Sequence, residues 1–111
     1  MQIVTTVGTR GGQKVLTLKG PLTIHTIFGF QTAVREDSTA ALIIDFSAVP
    51  FMDSAGLGAL VGARVALQKA NRQLAIAGLN TQVKALLDMS KVSQFFKIFP
   101  TVDEAQAAAI A

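Results

Sequence analysis

The sequence predicts an α/β fold: one domain built on a small, mostly parallel mixed sheet, with an N-terminal hairpin strand and about four helices mainly on one face. Three observations predict it. Two alternating apolar–polar segments near the N-terminus are separated by Gly11-Gly12. Two short, continuously apolar runs, residues 41–44 and 74–77, read as strands covered on both faces. Segments of helical periodicity lie between and after these runs, and parallel strands need such crossovers. At 111 residues, the whole of 1–111 is expected to form a single domain.

Taken in order, Gln2–Val7 alternates as a half-exposed strand does, and residues 14–19 (KVLTLK) alternate again after the glycine turn. Gly20-Pro21 breaks that strand. From Thr23, apolar residues at Ile24, Ile27, Phe28 and Val34 approximate a helical face, and Phe30 falls off it as a contact residue or an exposed aromatic. Residues 54–70 read as a helix with Leu57, Leu60, Val61 and Val65 on one side. Strand 74–77 stops at Gly78. Asn80 or Thr81 then caps a helix carrying Val83, Leu86 and Leu87. Residues 95–99 read as a last strand, ended by Pro100. Thr101 with Glu104 forms a capping box for a helix to about Ala109.

Composition narrows the function. Half of the residues are apolar and 15% are charged, so a packed core is expected rather than a disordered tail. The net charge is +3, but the ten Lys and Arg residues are scattered from Arg10 to Lys97 without a basic run, so no nucleic-acid partner is expected. Absence of cysteine excludes disulfides, thiolate zinc sites and Cys nucleophiles. The opening MQIVTTVGTRGG lacks the pattern of a signal peptide, and no apolar stretch is long enough to cross a bilayer. A cytoplasmic protein without membrane insertion is the expectation.

The run ALIIDFSAVPFMDSAGLGAL sets one hydroxyl, Ser54, after a buried strand and at the mouth of a helix. Backbone N–H groups and the positive end of a helix dipole make that a favourable place for a phosphate. Either Asp53 or Ser54 also fits as an ordinary helix cap. The helix carries a stripe of small residues, Ala55, Ala59, Gly62, Ala63 and Ala66. Gly56, Gly58 and Gly62 each weaken a helix by about 1 kcal/mol relative to Ala, so close packing on the sheet or close approach of a partner must offset them.

Catalytic constellations are thin, and no enzyme, cofactor or metal is expected. Gly56, Gly58 and Gly62 resemble a dinucleotide fingerprint, but Phe51-Met52-Asp53-Ser54 fills the turn and no acidic residue follows the next strand. His25 is the only histidine, with nothing to bring it to Ser54 and a carboxylate. Asp45 and Asp53 flank one loop without the further oxygen ligands a cation needs. Asp45 fits a strand-end residue bonding loop N–H groups, and Asp53 fits one that orients Ser54 or sets local charge.

The pattern Leu-Ile-Ile-Asp-Phe-Ser, then Val49, then Phe51-Met52-Asp53-Ser54-Ala55-Gly56-Leu57-Gly58, resembles the STAS family, whose best-known members are bacterial anti-sigma factor antagonists. Residues 83–90 (VKALLDMS) also resemble that family's last helix before the final strand. The resemblance implies a phosphorylation-switched binding module. Unphosphorylated, it binds an anti-sigma factor, typically a GHKL-type serine kinase, and so frees a sigma factor for transcription. The kinase phosphorylates the serine after the Asp, here Ser54, and a metal-dependent phosphatase of the PP2C type restores the hydroxyl. The implied partner surface is Asp53, Ser54, Ala55, Gly56, Leu57 and Gly58, with Thr23 from the preceding loop.

Two departures from the family pattern stand out. Many members carry Gly-x-Leu-Asp after the second strand, where this chain has Gly20-Pro21-Leu22-Thr23. The frequent second serine of the motif is Ala55, which makes Ser54 the one obvious acceptor there. The alternatives are a constitutive docking subunit of a lipid-transporting ABC system, or a structural or sensory subunit of a stress-signalling assembly. Neither needs a phosphorylation cycle.

Overall fold

A computed structural model describes residues 1–108 of the chain. Five strands form one sheet in chain order: β1 (Gln2–Val7), β2 (Gln13–Lys19), β3 (Ala41–Ala48), β4 (Gln73–Ala77) and β5 (Lys97–Phe99). β1 pairs antiparallel with β2, and the remaining neighbours are parallel. The connections are α1 (Ile27–Glu36), α2 (Ser54–Lys69) and α3 (Thr81–Met89), the last followed by a short 3-10 turn at Ser93–Phe95. α4 (Val102–Ala107) follows the sheet. The expected single mixed sheet with four helices is the observed architecture.

Strand order explains why the helices segregate. Right-handed crossovers between successive neighbours in an order that never reverses put every connecting helix on the same face. Leu16, Leu18, Leu42, Ile44 and Ile76 therefore meet Phe30 and Val34 of α1, Leu60 and Leu67 of α2, and Val83 and Leu87 of α3 in one core. The alternate side chains of the same strands, Val15, Ile43, Ala75 and Ala77, form a smaller cluster closed by Ala105 of α4. That two-sided burial is why residues 41–44 are apolar without a break.

Boundaries held where a capping residue fixes them. Asn80 accepts from the Val83 N–H at 2.8 Å, and Thr101 accepts from the Glu104 N–H at 3.2 Å. The expected end of the last helix at Ala109 lies outside the described residues.

Three details differ from the sequence reading. α1 begins at Ile27, not near Thr23, because the Thr26 hydroxyl accepts from the Thr23 N–H and donates to the Pro21 carbonyl, both at 2.9 Å, closing a turn instead. With that start the buried stripe is Phe30 and Val34, with Ile27 partly buried beside them: Phe30 is fully buried, whereas Ile24 is 55% and Phe28 77% exposed. On α2 the buried face is Gly56, Ala59, Leu60, Ala63 and Leu67, and Val65 is exposed. The small residues let α2 lie close to its neighbours, so they form much of its buried stripe. Phe95 lies in the 3-10 turn rather than in a strand, and β5 is the shorter Lys97–Phe99.

Candidate functional site

Ser54 opens α2 just beyond the carboxyl end of β3. Two segments meet there. Leu22 of the β2–α1 loop bridges Met52 of the β3–α2 loop in parallel: the Leu22 N–H donates to the Phe51 carbonyl, and the Asp53 N–H donates to the Leu22 carbonyl. Backbone thus joins the two loops into one surface.

Asp53 is the cap. One carboxylate oxygen accepts from the Gly56 N–H at 2.8 Å, and the other accepts from the Ile24 N–H at 3.0 Å. The first bond closes the start of α2 and the second ties the neighbouring loop to it. These two N–H groups stabilise the charged carboxylate, with the Gly56 bond the stronger influence, and hold Asp53 below its ordinary value of 3.8. The sequence left two residues open for capping duty. The fold gives it to Asp53 and leaves Ser54 exposed at the first helical position.

The expected partner residues divide by burial. Ser54 and Gly58 are exposed; Asp53, Ala55, Leu57 and Thr23 are partly exposed. Gly56 is buried and faces the core rather than solvent. A Cβ at Gly56 would lie 2.1 Å from the Leu22 carbonyl oxygen and 2.8 Å from the Met52 side chain. Gly56 is therefore the residue that lets the two loops close on each other. A Cβ at Gly58 or Gly62 would meet nothing within 4 Å. Both line a groove of about 770 Å³ between α1 and α2.

Thr23 contributes no charge to the site. Its hydroxyl accepts from the His25 N–H at 3.3 Å, and its carbonyl accepts from Thr26 and Ile27. Asp53 is consequently the single carboxylate on these two loops, residues 20–26 and 49–53. His25 is exposed on the first of them. Asp45 lies within β3 rather than at its end, and its carboxylate accepts from the Ser47 N–H of the same strand at 2.9 Å instead of from a loop. No group of three or more metal-ligating side chains occurs among the described residues. None of the described helices is long and apolar enough to cross a membrane.

Sequence reasoning missed exposed apolar residues on the two joined loops and the first turn of α1. Ile24, Phe28 and Phe51 are 55%, 77% and 45% exposed, on the same two loops and the first turn of α1. The signal was available in part: Phe28 and Phe30 stand two residues apart, so one helix face cannot bury both.

The STAS domain family model matches residues 4–105. An anti-sigma F factor antagonist from Paenibacillus polymyxa is 29% identical over 96 residues, covering 83% of this chain and 80% of that protein. An anti-sigma-B factor antagonist from Staphylococcus aureus is 27% identical over 82 residues, covering 71% and 76%. The crystal structure of an anti-sigma factor antagonist from Mycobacterium paratuberculosis superposes with a TM-score of 0.82 at 26% identity, over 98% of this chain and 94% of that one. With that family match spanning nearly all of the five-stranded sheet and its helices, the chain belongs to the STAS domain family.

Proposed function

We propose that the chain is an anti-sigma factor antagonist, a cytoplasmic binding module switched by phosphorylation of Ser54. The observation that carries this reading is the division of labour at the start of α2: Asp53 does the capping, and Ser54 stands exposed beside it. Exposed Ile24 and Phe51, on the two loops joined beside Asp53, and exposed Phe28 on the first turn of α1 supply apolar area for a partner. The names of the Paenibacillus and Staphylococcus relatives favour an anti-sigma factor as the partner.

In this reading the partner is a GHKL-type serine kinase. Ser54 Oγ forms the new bond to the γ-phosphorus of ATP. ADP leaves with the electron pair, and the hydroxyl proton passes to a base on the kinase. The product carries about −1.5 to −2 charges and three acceptor oxygens. The N-terminus of α2 stabilises that charge within the free domain. Against a partner surface shaped for a hydroxyl, the same group adds bulk and a desolvated charge. A penalty of about 3 kcal/mol weakens binding more than a hundredfold, with no refolding. A phosphatase of the PP2C type resets the switch by hydrolysis. Neutral Thr23 leaves Asp53 as the one nearby carboxylate to repel the incoming phosphoryl group.

The test is the intact mass of the protein from its native host, with fragmentation across residues 49–60, together with co-purification of partners by Ser54→Ala and Ser54→Asp chains. One phosphoryl group on Ser54, an ATPase retained by Ser54→Ala and lost by Ser54→Asp are expected. A chain unmodified in every growth condition, with both variants retaining the same ATPase, would replace the switch with constitutive docking.

A further inference from the structure

The two edges of the sheet are finished differently. β5 is three residues long, begins at Lys97 and is followed by Pro100, devices that keep a strand from pairing further. β1 has none of them. Gln2–Val7 (QIVTTV) is six residues long, carries no charge and no proline, and pairs with β2 in unbroken register. Its outer side meets no other strand among the described residues, and Val7 at its end is 79% exposed.

The hydrogen bonds show which backbone groups of β1 are free. The Gly12 carbonyl accepts from the Ala41 N–H, and the Gly20 N–H donates to the Ala48 carbonyl, so even-numbered residues along β2 turn their backbone to β3. Odd-numbered residues turn to β1: the Gln13 carbonyl accepts from the Gly8 N–H at 3.0 Å. Thr6 faces Val15 and Val4 faces Thr17, so the even residues of β1 bond to β2. Ile3, Thr5 and Val7 therefore point their N–H and C=O groups outward.

This free edge is self-complementary. Antiparallel pairing of two copies with Thr5 opposite Thr5 sets Ile3 opposite Val7 on one face and Val4 opposite Thr6 on the other. Each of these pairs is β-branched, the composition that packs well on a pleated surface. Exposed Val7 is covered by Ile3 of the second copy, a residue that packs against its own core. Charge is compatible as well. Lys14 opposite Val7 and Lys19 opposite Gln2 fall in rows that end on Leu18 and Gln13 of the second copy, so no like charges meet. Gly29, Thr32 and Ala33 of α1 line a cavity of about 370 Å³ beside Ile3 and Thr5, so small side chains flank the centre of the pairing.

We propose that β1 is a homodimer interface, through which two copies join their five-stranded sheets edge to edge into one continuous sheet. Because the pairing is antiparallel, the β3 strands of the two copies run in opposite directions. Their Ser54 sites then lie at opposite ends of the joined sheet, each open to its own partner. The interface does not use Ser54 and stands or falls apart from the switch.

The test is sedimentation velocity of the full chain across a concentration series, with variants that read the register. Wild type should dimerise. Thr5→Lys and Thr5→Glu each set like charges face to face and should weaken association about tenfold, and an equimolar mixture of the two should recover it. The chain has no cysteine, so Thr5→Cys should give a disulfide-linked dimer on mild oxidation. Facing Cα atoms in a hydrogen-bonded antiparallel pair lie about 5.5 Å apart, within disulfide reach. Val4→Cys and Thr6→Cys should cross-link only when mixed. If a Thr5 variant fails to melt cooperatively, the Val4 and Thr6 cysteines carry the comparison. A monomer at every concentration, a dimer indifferent to Thr5→Lys, or Val4→Cys cross-linking alone as fast as Thr5→Cys would overturn the proposal. A monomer whose Ile3, Thr5 and Val7 amides gain exchange protection only with the co-purified ATPase would overturn it in favour of that partner.

Discussion

Gly56 and Gly58 stand two residues apart on α2 and answer to opposite constraints. Gly56 faces inward, where a Cβ would strike the Leu22 carbonyl oxygen of another loop. Gly58 faces outward into open space, beside a groove that the chain itself leaves unfilled. The first glycine is required by the fold. The second costs helix stability and gains nothing from packing within the chain. The same contrast divides Phe30 from Phe28 on α1, one fully buried and the other 77% exposed. A motif of adjacent residues is therefore not one functional unit: alternate positions serve the core and the surface.

Substitutions sharpen that contrast. Phe30→Ala should lose about 3–5 kcal/mol in urea unfolding, whereas Phe28→Ala should change stability by less than about 0.5 kcal/mol and weaken partner binding instead. Loss of stability in both would put Phe28 in the core. Ser54→Asp should leave the melting curve almost unchanged and reduce affinity for the co-purified partner more than a hundredfold, read by calorimetry (about 3 kcal/mol). Gly56→Ala should cost about 2–3 kcal/mol, because the atom it meets is backbone and cannot swing away.

Asp53→Asn tests the charge at the cap while keeping one acceptor for the Gly56 N–H. The folded-state pKa of Asp53 is lowered by the Gly56 and Ile24 N–H groups, so its ionised form favours the fold. That contribution is complete above the ordinary value of 3.8 and disappears as pH falls through the lower folded value. Wild type should therefore melt above Asp53→Asn at neutral pH, and the two curves should converge on strong acidification. A gap that persists unchanged into acid would assign the difference to geometry rather than charge. The smallest effect belongs to Gly58→Ala, expected to stabilise by about 0.5–1 kcal/mol. Weaker partner binding by that stabilised variant would show that the partner approaches the α2 backbone closely. Unaltered binding would remove Gly58 from the interface.

Much of the site was legible from near neighbours. Thr101 announces its helix, and Asn80-Thr81 does so to within one residue, because a cap bonds an N–H three residues on. Asp53-Ser54 marks the mouth of α2 for the same reason, although two candidate caps in succession cannot be separated by spacing. The Gly56 N–H bond gives the cap to Asp53, and the Ile24 N–H of another loop holds the same carboxylate in place. The start of α1 was misplaced because Thr26 competes locally for backbone groups, a choice invisible to apolar periodicity.

The sequence by itself determined the alternation of strands and helices, the double-sided burial of β3, the cap of α4, and a serine at a helix mouth. Those properties depend on residues within a few positions of one another, where propensity, periodicity and capping act. The tertiary structure alone decided which glycine is indispensable, which phenylalanine is buried, and which of two successive residues is left exposed at the mouth of α2. Each of those depends on contact between segments remote in the chain. Only closure of the sheet and packing of its helices bring such segments within reach, and no local pattern records the distance between them.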